Sequence, residues 1–467
     1  MCNWKSKYLL RHVCNEPALE GNGDGRCILH STREDKDPGA FKKKVEERMA
    51  GKDKIDLRGC YFPGGFDYTD IKRSFDVPVD FSETTFSEQA DFSGATFSAG
   101  ADFTEATFSK EADFNVATFS EKADFIEATF SEDAYFVGAT FSEWAYFCGA
   151  TFSEGADFIG TTFHEGADFR GAKFSRADFI GTVFEKGVNF NRAEFKDKVY
   201  FLTSAKDIEG REEKFPVLLG TGSSFSYALF SGDVRFQDVD LSHCSFLHSN
   251  IDKVDFRYCE FTEVKGRKNV LRDELDADEE VKGVESGVKD ENVIARDVVP
   301  KQSLFCTVRR LLRFARNDTL REKKYEPVRR LYLELKRNFE DKKDWNTAGD
   351  FHYGEMECRR KGRLGGWLDF LLVTTYYGAS GYGERPLRAL LWWFFSTLLF
   401  FPLLYRLSEH DPLSACVWDS VRVATFMKIG IPIEPESWGR ILLTLQYFIC
   451  PTLLALFALA LRRKVKR

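Results

Sequence analysis

Four residues near the N-terminus are of the types that bind zinc: Cys2, Cys14, Cys27 and His30. Three thiolates and one imidazole would complete a closed tetrahedral site, and the Cys-x2-His spacing lets Cys27 and His30 share one turn. Residues 1–50 are too few to build a core of their own, so a structural zinc would explain how they fold. A loosely docked tail with free thiols stays open as the alternative, because Cys2 lies far from Cys14 and the segment has no Cys-x2-Cys pair.

A second group of residues that could bind a metal or act as acid and base lies further along the chain, at His352, Glu355, Glu357 and Cys358. No other cluster completes it, so we interpret it as the solvated face of a helix. The sequence shows no nucleophile with a base at a known spacing and no phosphate-binding loop, which predicts that the protein is not an enzyme. The 11 Cys are scattered and odd in number, which is typical of reduced thiols in a protein that faces the cytosol.

The longest regular feature is a repeat in which Phe returns after five and then six residues, from Phe81 to Phe174. Its unit, Ala-Asp-Phe-x-x-Ala-Thr-Phe-Ser-x-x, fits neither a helix nor a simple alternating strand. A repeat of fixed length predicts a solenoid, whose units bury apolar side chains against their neighbours. The Phe of the first half-unit should form the core, at Phe81, Phe92, Phe103, Phe114, Phe125, Phe136, Phe147, Phe158 and Phe169.

The Asp before each of these Phe residues should face solvent, since neighbouring residues of a strand point to opposite faces. The predicted outward acidic column consists of Asp91, Asp102, Asp113, Asp124, Asp157 and Asp168. Residues 76–170 carry 19 acidic and 3 basic side chains. Such a surface keeps a solenoid soluble, and it is also suited to binding a basic partner.

The tandem Ala-Asp-Phe-x-x and Ala-Thr-Phe-x-x units over residues 57–261 resemble those of pentapeptide-repeat proteins. The resemblance implies a right-handed parallel β-helix with four sides, here over residues 51–265, with Phe and Ala pointing inward. The sixth residue of every second unit should lie at alternate corners, giving coils of about 22 residues. The gyrase-protecting members of the family imply one further function, in which an acidic rod mimics DNA.

The chain changes character after the repeats. Residues 266–300 are charged and poor in aromatic residues, which predicts a solvated linker. Residues 301–365 are basic, and their apolar spacing predicts an antiparallel helical hairpin, with one helix opening at Pro327 and the next running from about Asp344 to Arg360.

Two apolar stretches, 386–405 and 441–461, have the length that crosses a hydrocarbon core of about 30 Å. Lys and Arg residues precede the first stretch and follow the second, so both termini should face the cytoplasm. We therefore predict an integral protein of the cell membrane, in contact with lipid over residues 366–467. Before the first span, Trp367 to Tyr377 is too short to cross and is suited to the membrane interface.

Two spans joined by a loop of about 35 residues resemble the two-helix pore module of potassium channels. Some pentapeptide-repeat proteins carry this module, and the shared marks here are Glu355, Met356, Arg359 and Arg360, followed by the run from Tyr382 to Pro386. The resemblance implies a homo-oligomer, a tetramer if the module is channel-like. The pore-loop candidates are Thr425, Met427, Lys428, Ile429, Gly430 and Ile431.

The loop departs from a potassium filter. Aligning on Gly430 places Met427 and Lys428 where threonines belong and Pro432 at the second glycine, and Pro cannot adopt a positive φ. Four Lys428 side chains in a ring would also repel a cation.

We predict a non-enzymatic membrane scaffold with a degenerate, channel-like module. The alternatives are a membrane-anchored interaction or DNA-mimic module, with an unknown protein partner, and a functional ion channel. Because the net charge is −7, we expect no direct nucleic-acid binding.

Overall fold

The computed structural model describes residues 2–7, 14–19, 25–63, 74–203, 217–264, 267–283, 304–409, 413–425 and 438–465. The chain divides into two compact units, Met1–Asp276 and Ala277–Arg467. The first is a parallel β-solenoid of about 8 turns, and the second consists of helices, as the sequence predicted.

The solenoid is built from very short parallel strands that stack in four columns, one for each side of a coil. Thr118 pairs with Thr140, and Ala123 pairs with Ala145, so each coil takes 22 residues as predicted. The longer strand Thr151–Asp157 covers two adjacent sides and joins their columns into one sheet. Alternation places Phe and Ala inside and Thr and Asp outside.

The four faces are numbered in the order in which the chain visits them. The first face contains Ile55–Asp56, Val79–Asp80, Ala101–Asp102, Ala123–Asp124, Ala145–Tyr146, Ala167–Asp168 and Val188–Asn189. The second contains Tyr61–Phe62, Thr85–Phe86, Thr107–Phe108, Thr129–Phe130, Thr151–Asp157, Lys173–Asp178, Glu194–Phe195 and Leu229–Phe230. The third shares Thr151–Asp157 and Lys173–Asp178 and adds Ala90–Asp91, Ala112–Asp113, Ala134–Tyr135, Lys198–Leu202, Asp233–Gln237 and Asp255–Arg257. The fourth contains Ser74–Phe75, Thr96–Phe97, Thr118–Phe119, Thr140–Phe141, Thr162–Phe163, Val183–Phe184 and Leu218–Leu219.

Phenylalanine rings fill the interior of the solenoid. The ring of Phe125 stacks on Phe103 at 4.9 Å and on Phe147 at 4.8 Å, and it meets Phe114 edge-on at 5.4 Å. The nine predicted core Phe residues are all buried. Stacked and edge-on pairs are the arrangements that aromatic rings prefer, so the ring contacts stabilise the core along the solenoid axis.

The corners after the Ala-Asp strands are tight turns that need a left-handed residue. The amide of Ala106 donates to the carbonyl of Phe103 (3.0 Å), and Glu105 between them has φ 56°. This is the geometry of a type II turn, which favours Gly at its third position. On the corner between the third and fourth faces, Gly94 and Gly138 occupy that position, but Val116 takes it in the coil between them with φ 57°.

Replacing Val116 by Gly is expected to raise the free energy of unfolding by about 1 kcal/mol. A β-branched residue in the left-handed region costs about 1–3 kcal/mol, and Gly returns part of this through its greater freedom in the unfolded chain. The Val116 side chain is 66% exposed and contributes little burial. Thermal unfolding should rank the Gly variant above wild type and above Val116→Ala, which keeps the strain. An Ala variant as stable as the Gly variant would contradict this account.

Both ends of the solenoid are covered. At the N-terminal end, helix α1 (Pro38–Met49) buries Phe41 and Val45, and the Phe41 ring meets Phe62 edge-on at 5.4 Å. At the C-terminal end lies the antiparallel hairpin Thr262–Val264 and Arg267–Val270. Repeat proteins need such caps because the last coil would otherwise expose its core.

The start of the predicted linker, residues 266–300, is structured. Strand Arg267–Val270 and helix α2 (272–283) occupy it, and 284–300 lie outside the described residues. Asp273 accepts hydrogen bonds from the amide of Phe246 (3.0 Å) and the hydroxyl of Ser245 (2.5 Å). The prediction of a solvated linker was therefore wrong for residues 267–283, where Asp273 is buried and binds the last coil of the solenoid.

The second unit contains the predicted helical hairpin, α3 (Leu304–Asp341) and α4 (Trp345–Gly362). The prediction that a helix opens at Pro327 was wrong, because α3 runs through Pro327 without a break. Gly354 of α4 packs on the ring of Tyr332, where a Cβ atom would lie 2.3 Å from the ring. A side chain at position 354 would therefore displace the buried Tyr332 ring or separate the two helices.

The remaining helices are α5 (Gly366–Ser380), α6 (Pro386–Phe395), a π-helical turn (Ser396–Phe400), α7 (Phe401–Glu409), α8 (Leu413–Ala424) and α9 (Trp438–Val465). The stretches Pro386–Leu407 and Ile441–Arg462 are long and apolar enough to cross a membrane. The π-helical turn precedes Pro402, and such turns are common where the regular helical hydrogen bonding is interrupted.

Candidate metal centre and membrane module

The four predicted zinc ligands meet in one buried cluster. The ligand atoms of Cys2, Cys14, Cys27 and His30 all lie within 4.8 Å of one another. The Cys14 and Cys27 sulfurs are 3.7 Å apart, and Nδ1 of His30 lies 3.1 Å from the Cys27 sulfur and 3.7 Å from that of Cys2. Zinc with ordinary bond lengths requires edges of about 3.5–3.8 Å in a tetrahedral site. The two 3.7 Å separations match this range and the Cys27–His30 separation is shorter, so the four residues could hold the ion after a small adjustment.

The imidazole of His30 is held in the orientation that a metal ligand needs. Its Nε2 lies 3.0 Å from the backbone carbonyl of Arg58, to which it can donate a hydrogen bond. With the proton on Nε2, the lone pair of Nδ1 points at the three sulfurs. The amide of Cys27 donates a hydrogen bond to the Cys2 sulfur (3.2 Å), which holds that sulfur in the cluster.

The surroundings of the cluster disfavour charge when no cation is bound. Burial raises the pKa of the Cys27 thiol to about 12 and also raises that of Cys14. Burial lowers the pKa of His30 to about 4, so its imidazole is neutral at pH 7. A metal would supply the positive charge that turns the thiols into thiolates.

Two residues that support the cluster, Trp4 and Gly59, were not predicted from the sequence. The indole of Trp4 stacks on the His30 ring at 4.3 Å and 6°. It also covers Gly59, where a Cβ atom would lie 2.1 Å from the indole and where φ is +65°. No spacing rule connects Trp4 or Gly59 with the ligands, because they meet only when the N-terminal segment lies along the first coil.

In the second unit, α8 packs back against the two apolar helices through a buried polar network. The amide nitrogen of Gln446 in α9 donates to the carbonyl (2.8 Å) and hydroxyl (2.7 Å) of Ser420 in α8. The hydroxyl of Tyr405 in α7 donates to the Gln446 oxygen (2.6 Å), and that of Ser420 donates to the carbonyl of Thr397 (2.7 Å). Gln446 and Ser420 together therefore join α7, α8, α9 and the π-helical turn through hydrogen bonds that satisfy their buried polar groups.

The pore-loop candidates fall at the end of α8. Thr425 lies just after the helix, is exposed, and donates its hydroxyl hydrogen bond to the carbonyl of Val421 (2.7 Å). Met427, Lys428, Ile429, Gly430 and Ile431 lie outside the described residues.

The group at His352, Glu355, Glu357 and Cys358 is not a solvated helix face, so that interpretation was wrong. Cys358 and Glu357 are buried. The Glu357 carboxylate accepts hydrogen bonds from Arg360 (2.5 Å) and from the hydroxyl of Tyr382 (3.0 Å). Its role is to join α4 to the turn that leads into the first apolar helix.

Comparison with protein families identifies the repeats in the central part of the solenoid. The family model described as "Pentapeptide repeats (9 copies)" matches residues 74–118, 114–162 and 158–202. Residues 74–202 are pentapeptide repeats. No curated protein and no solved structure matched the chain.

The Asp residues of the pentapeptide repeats lie on the outer surface but are only partly exposed to solvent. Asp168 is buried, and the others of the predicted acidic column are partly buried. Most of them accept a hydrogen bond from the amide two residues later, as Asp91 does from Ser93 (2.8 Å) and Asp157 from Ile159 (3.0 Å). They stabilise the corner turns of the repeats.

Replacing Asp157 by Asn is expected to stabilise the pentapeptide repeats by about 1–2 kcal/mol at pH 7.5 and to have little effect near pH 4. Burial, with a contribution from the charge of Asp178, raises the pKa of Asp157 to about 6. A raised acid pKa means that the folded state binds more protons, so this contribution to stability is lost as pH rises from about 4 to 6. Asn can keep the bond to Ile159, as Asn189 does with the amide of Asn191 (3.1 Å).

Thermal unfolding at the two pH values checks this. Glu121→Gln removes the same charge at an exposed position of the repeats and serves as the control. Equal effects of the two substitutions would mean that net charge, and not the burial of Asp157, is responsible.

Proposed function

We propose that this chain is a non-enzymatic integral membrane protein, in which a cytoplasmic pentapeptide-repeat rod is tethered to an ion-channel-like module with a degenerate filter. The packing of α8 against both apolar helices through Gln446 supports this most directly. Pore loops begin with a short helix that returns between two membrane spans. Buried polar networks also hold helices together in lipid.

The exposure of the two apolar helices supports the membrane location. Only 28% of the first apolar window and 11% of the second is buried within the chain. Leu387 and Phe448 are each 70% exposed. Apolar surface of this extent needs lipid or other copies of the chain to cover it.

The placement of Lys and Arg supports an orientation with both termini in the cytoplasm. Arg385 and Arg388 flank the start of the first span, and the basic run 462–467 follows the second. The repeats then lie in the cytoplasm, where the reducing environment suits three thiol ligands. We assign zinc to those ligands as a structural ion, because the donor set and the ligand distances fit it.

The proposed module is a tetramer, because only a ring of copies can surround a pore. Mass measurement of the full chain in lipid nanodiscs should give four copies per particle, and a monomer would exclude a pore. Planar-bilayer recording of the same sample should show no potassium-selective current, since Lys428 would place four positive charges near the ion path. Clear potassium-selective single-channel currents would overturn the degenerate filter and favour a functional channel.

We rank the scaffold above an acidic interaction or DNA-mimic module. The Asp carboxylates of the repeats are bound to their own corner turns, whereas DNA phosphates are fully exposed. Pull-down with a variant carrying Asp91→Lys, Asp102→Lys, Asp113→Lys and Asp124→Lys tests this. Loss of a protein partner that wild type retains would reverse the ranking.

A further inference from the structure

The first coil of the solenoid has backbone groups that point away from the rest of the stack. On the first face, the amides of Leu57 and Gly59 donate to carbonyls of the second coil. On the second face, the carbonyl of Cys60 accepts from the amide of Thr85. Because groups alternate along a strand, the carbonyl of Arg58 and the amide of Tyr61 point the opposite way, toward the N-terminal end.

The metal-ligand segment occupies both of these groups. The amide of Tyr61 donates to the carbonyl of Leu29 (2.7 Å), and the ring of His30 lies in hydrogen-bond contact with the carbonyl of Arg58 (3.0 Å). Leu29 is buried. Residues 29 and 30 therefore occupy the position that a preceding coil would occupy.

The four ligands hold this segment in place. Residues 27–31 form a single turn, in which the amide of Ser31 donates to the carbonyl of Cys27 (2.9 Å). Cys27 and His30 flank Leu29 in that turn, while Cys2 and Cys14 come from two other segments. A metal bound to all four joins three chain segments directly over the edge of the first coil.

We propose that metal occupancy of the Cys2, Cys14, Cys27 and His30 centre decides whether the Arg58 carbonyl and the Tyr61 amide, beside the part of the first coil that α1 covers, are occupied by residues 29 and 30 or are open to pair with the same edge of a second copy. The proposal rests on zinc binding as argued above. An open strand edge is a template for pairing with another chain. The C-terminal end of the solenoid is covered by its hairpin and by Asp273. The first-coil edge of one copy would therefore pair with the first-coil edge of another copy. Two identical edges pair by a twofold axis, which closes at a dimer.

The test uses the full chain in lipid nanodiscs, with zinc content and particle mass measured before and after a zinc chelator is added. We expect zinc to fall and the particle mass to double through pairing of two nanodiscs, with reversal when zinc is restored. An unchanged mass after the zinc has been lost would overturn the proposal. A sample that contains no zinc before chelation would instead refute the zinc assignment.

Tyr61→Pro tests the contact itself, because it removes the amide that pairing requires. This variant should lose zinc with the chelator and keep its original mass, whereas Tyr61→Phe should double like wild type. Doubling of the Pro variant would show that association uses another surface and would overturn the proposal. The chelation of wild type is decisive on its own if the Pro variant does not fold.

Discussion

Replacing Cys27 by Ser is expected to abolish zinc binding and to release the N-terminal cap from the first coil. Structural zinc contributes about 10–16 kcal/mol to the folding of zinc-finger peptides at neutral pH. The whole stability of a typical domain is about 5–15 kcal/mol. Loss of one of three thiolates therefore removes the main source of order for the described part of residues 1–50, whose apolar contacts on the first coil include Leu29 and Phe41.

Metal analysis of the purified chain should show about one zinc per wild-type chain and almost none in the variant. Hydrogen exchange should report faster exchange of the Tyr61 amide, which donates to Leu29, while exchange in the central coils stays slow. Cys148→Ser is the matched control, because Cys148 lies on the repeats at a distance from the cluster in sequence and is not one of its ligands. Equal zinc content in the two variants would refute the assignment of Cys27 as a ligand.

Replacing Phe125 by Ala is expected to lower the free energy of unfolding by about 3–5 kcal/mol. The ring is fully buried and stacked between Phe103 and Phe147. Its removal opens a cavity in the column of rings. The adjacent rings cannot move into this cavity, because the 22-residue register fixes each of them. The loss should be large at this position because it breaks the ring column on both sides.

Chemical unfolding of the repeats measures the free energy of unfolding of this variant and of two controls. Phe125→Leu keeps most of the volume and should cost clearly less than the Ala variant. Phe261 lies near the C-terminal end of the solenoid and is only partly buried, with its ring 6.2 Å from that of Phe256. Phe261→Ala should therefore also cost less. A loss below about 1 kcal/mol for Phe125→Ala would contradict a core that depends on continuous stacking.

The fold of the repeats could be predicted from the sequence because every coil uses the same local rule. Phe and Ala alternate with Thr and Asp, which decides what faces inward, and the eleven-residue period decides the length of a coil. Local rules failed where one residue departs from its equivalents, as at Val116, whose left-handed corner is imposed by the coils on either side. They also failed at residues 267–283, where charge suggested a linker but Asp273 binds the last coil.

The candidate sites were predictable only as sets of residue types. Cys2, Cys14, Cys27 and His30 could be chosen from their chemistry, and the structure confirms that they meet. The residues that orient His30 could not be predicted, because Arg58 contacts it through a backbone carbonyl and Trp4 stacks on it through the indole ring. The same holds for Gln446, whose side chain matters because it faces Ser420 and Tyr405.

The repeat, its period, the inward residues and the two apolar stretches could all be predicted from residue types, because they follow from spacing along the chain. Three contacts became known only from the folded chain: residues 29 and 30 cover the first coil, Glu357 binds Tyr382, and α8 returns between the two apolar helices. Each of these contacts joins residues that are distant in sequence. Hydrogen bonds between such residues depend on distances of a few ångströms, which no pattern of residue types records.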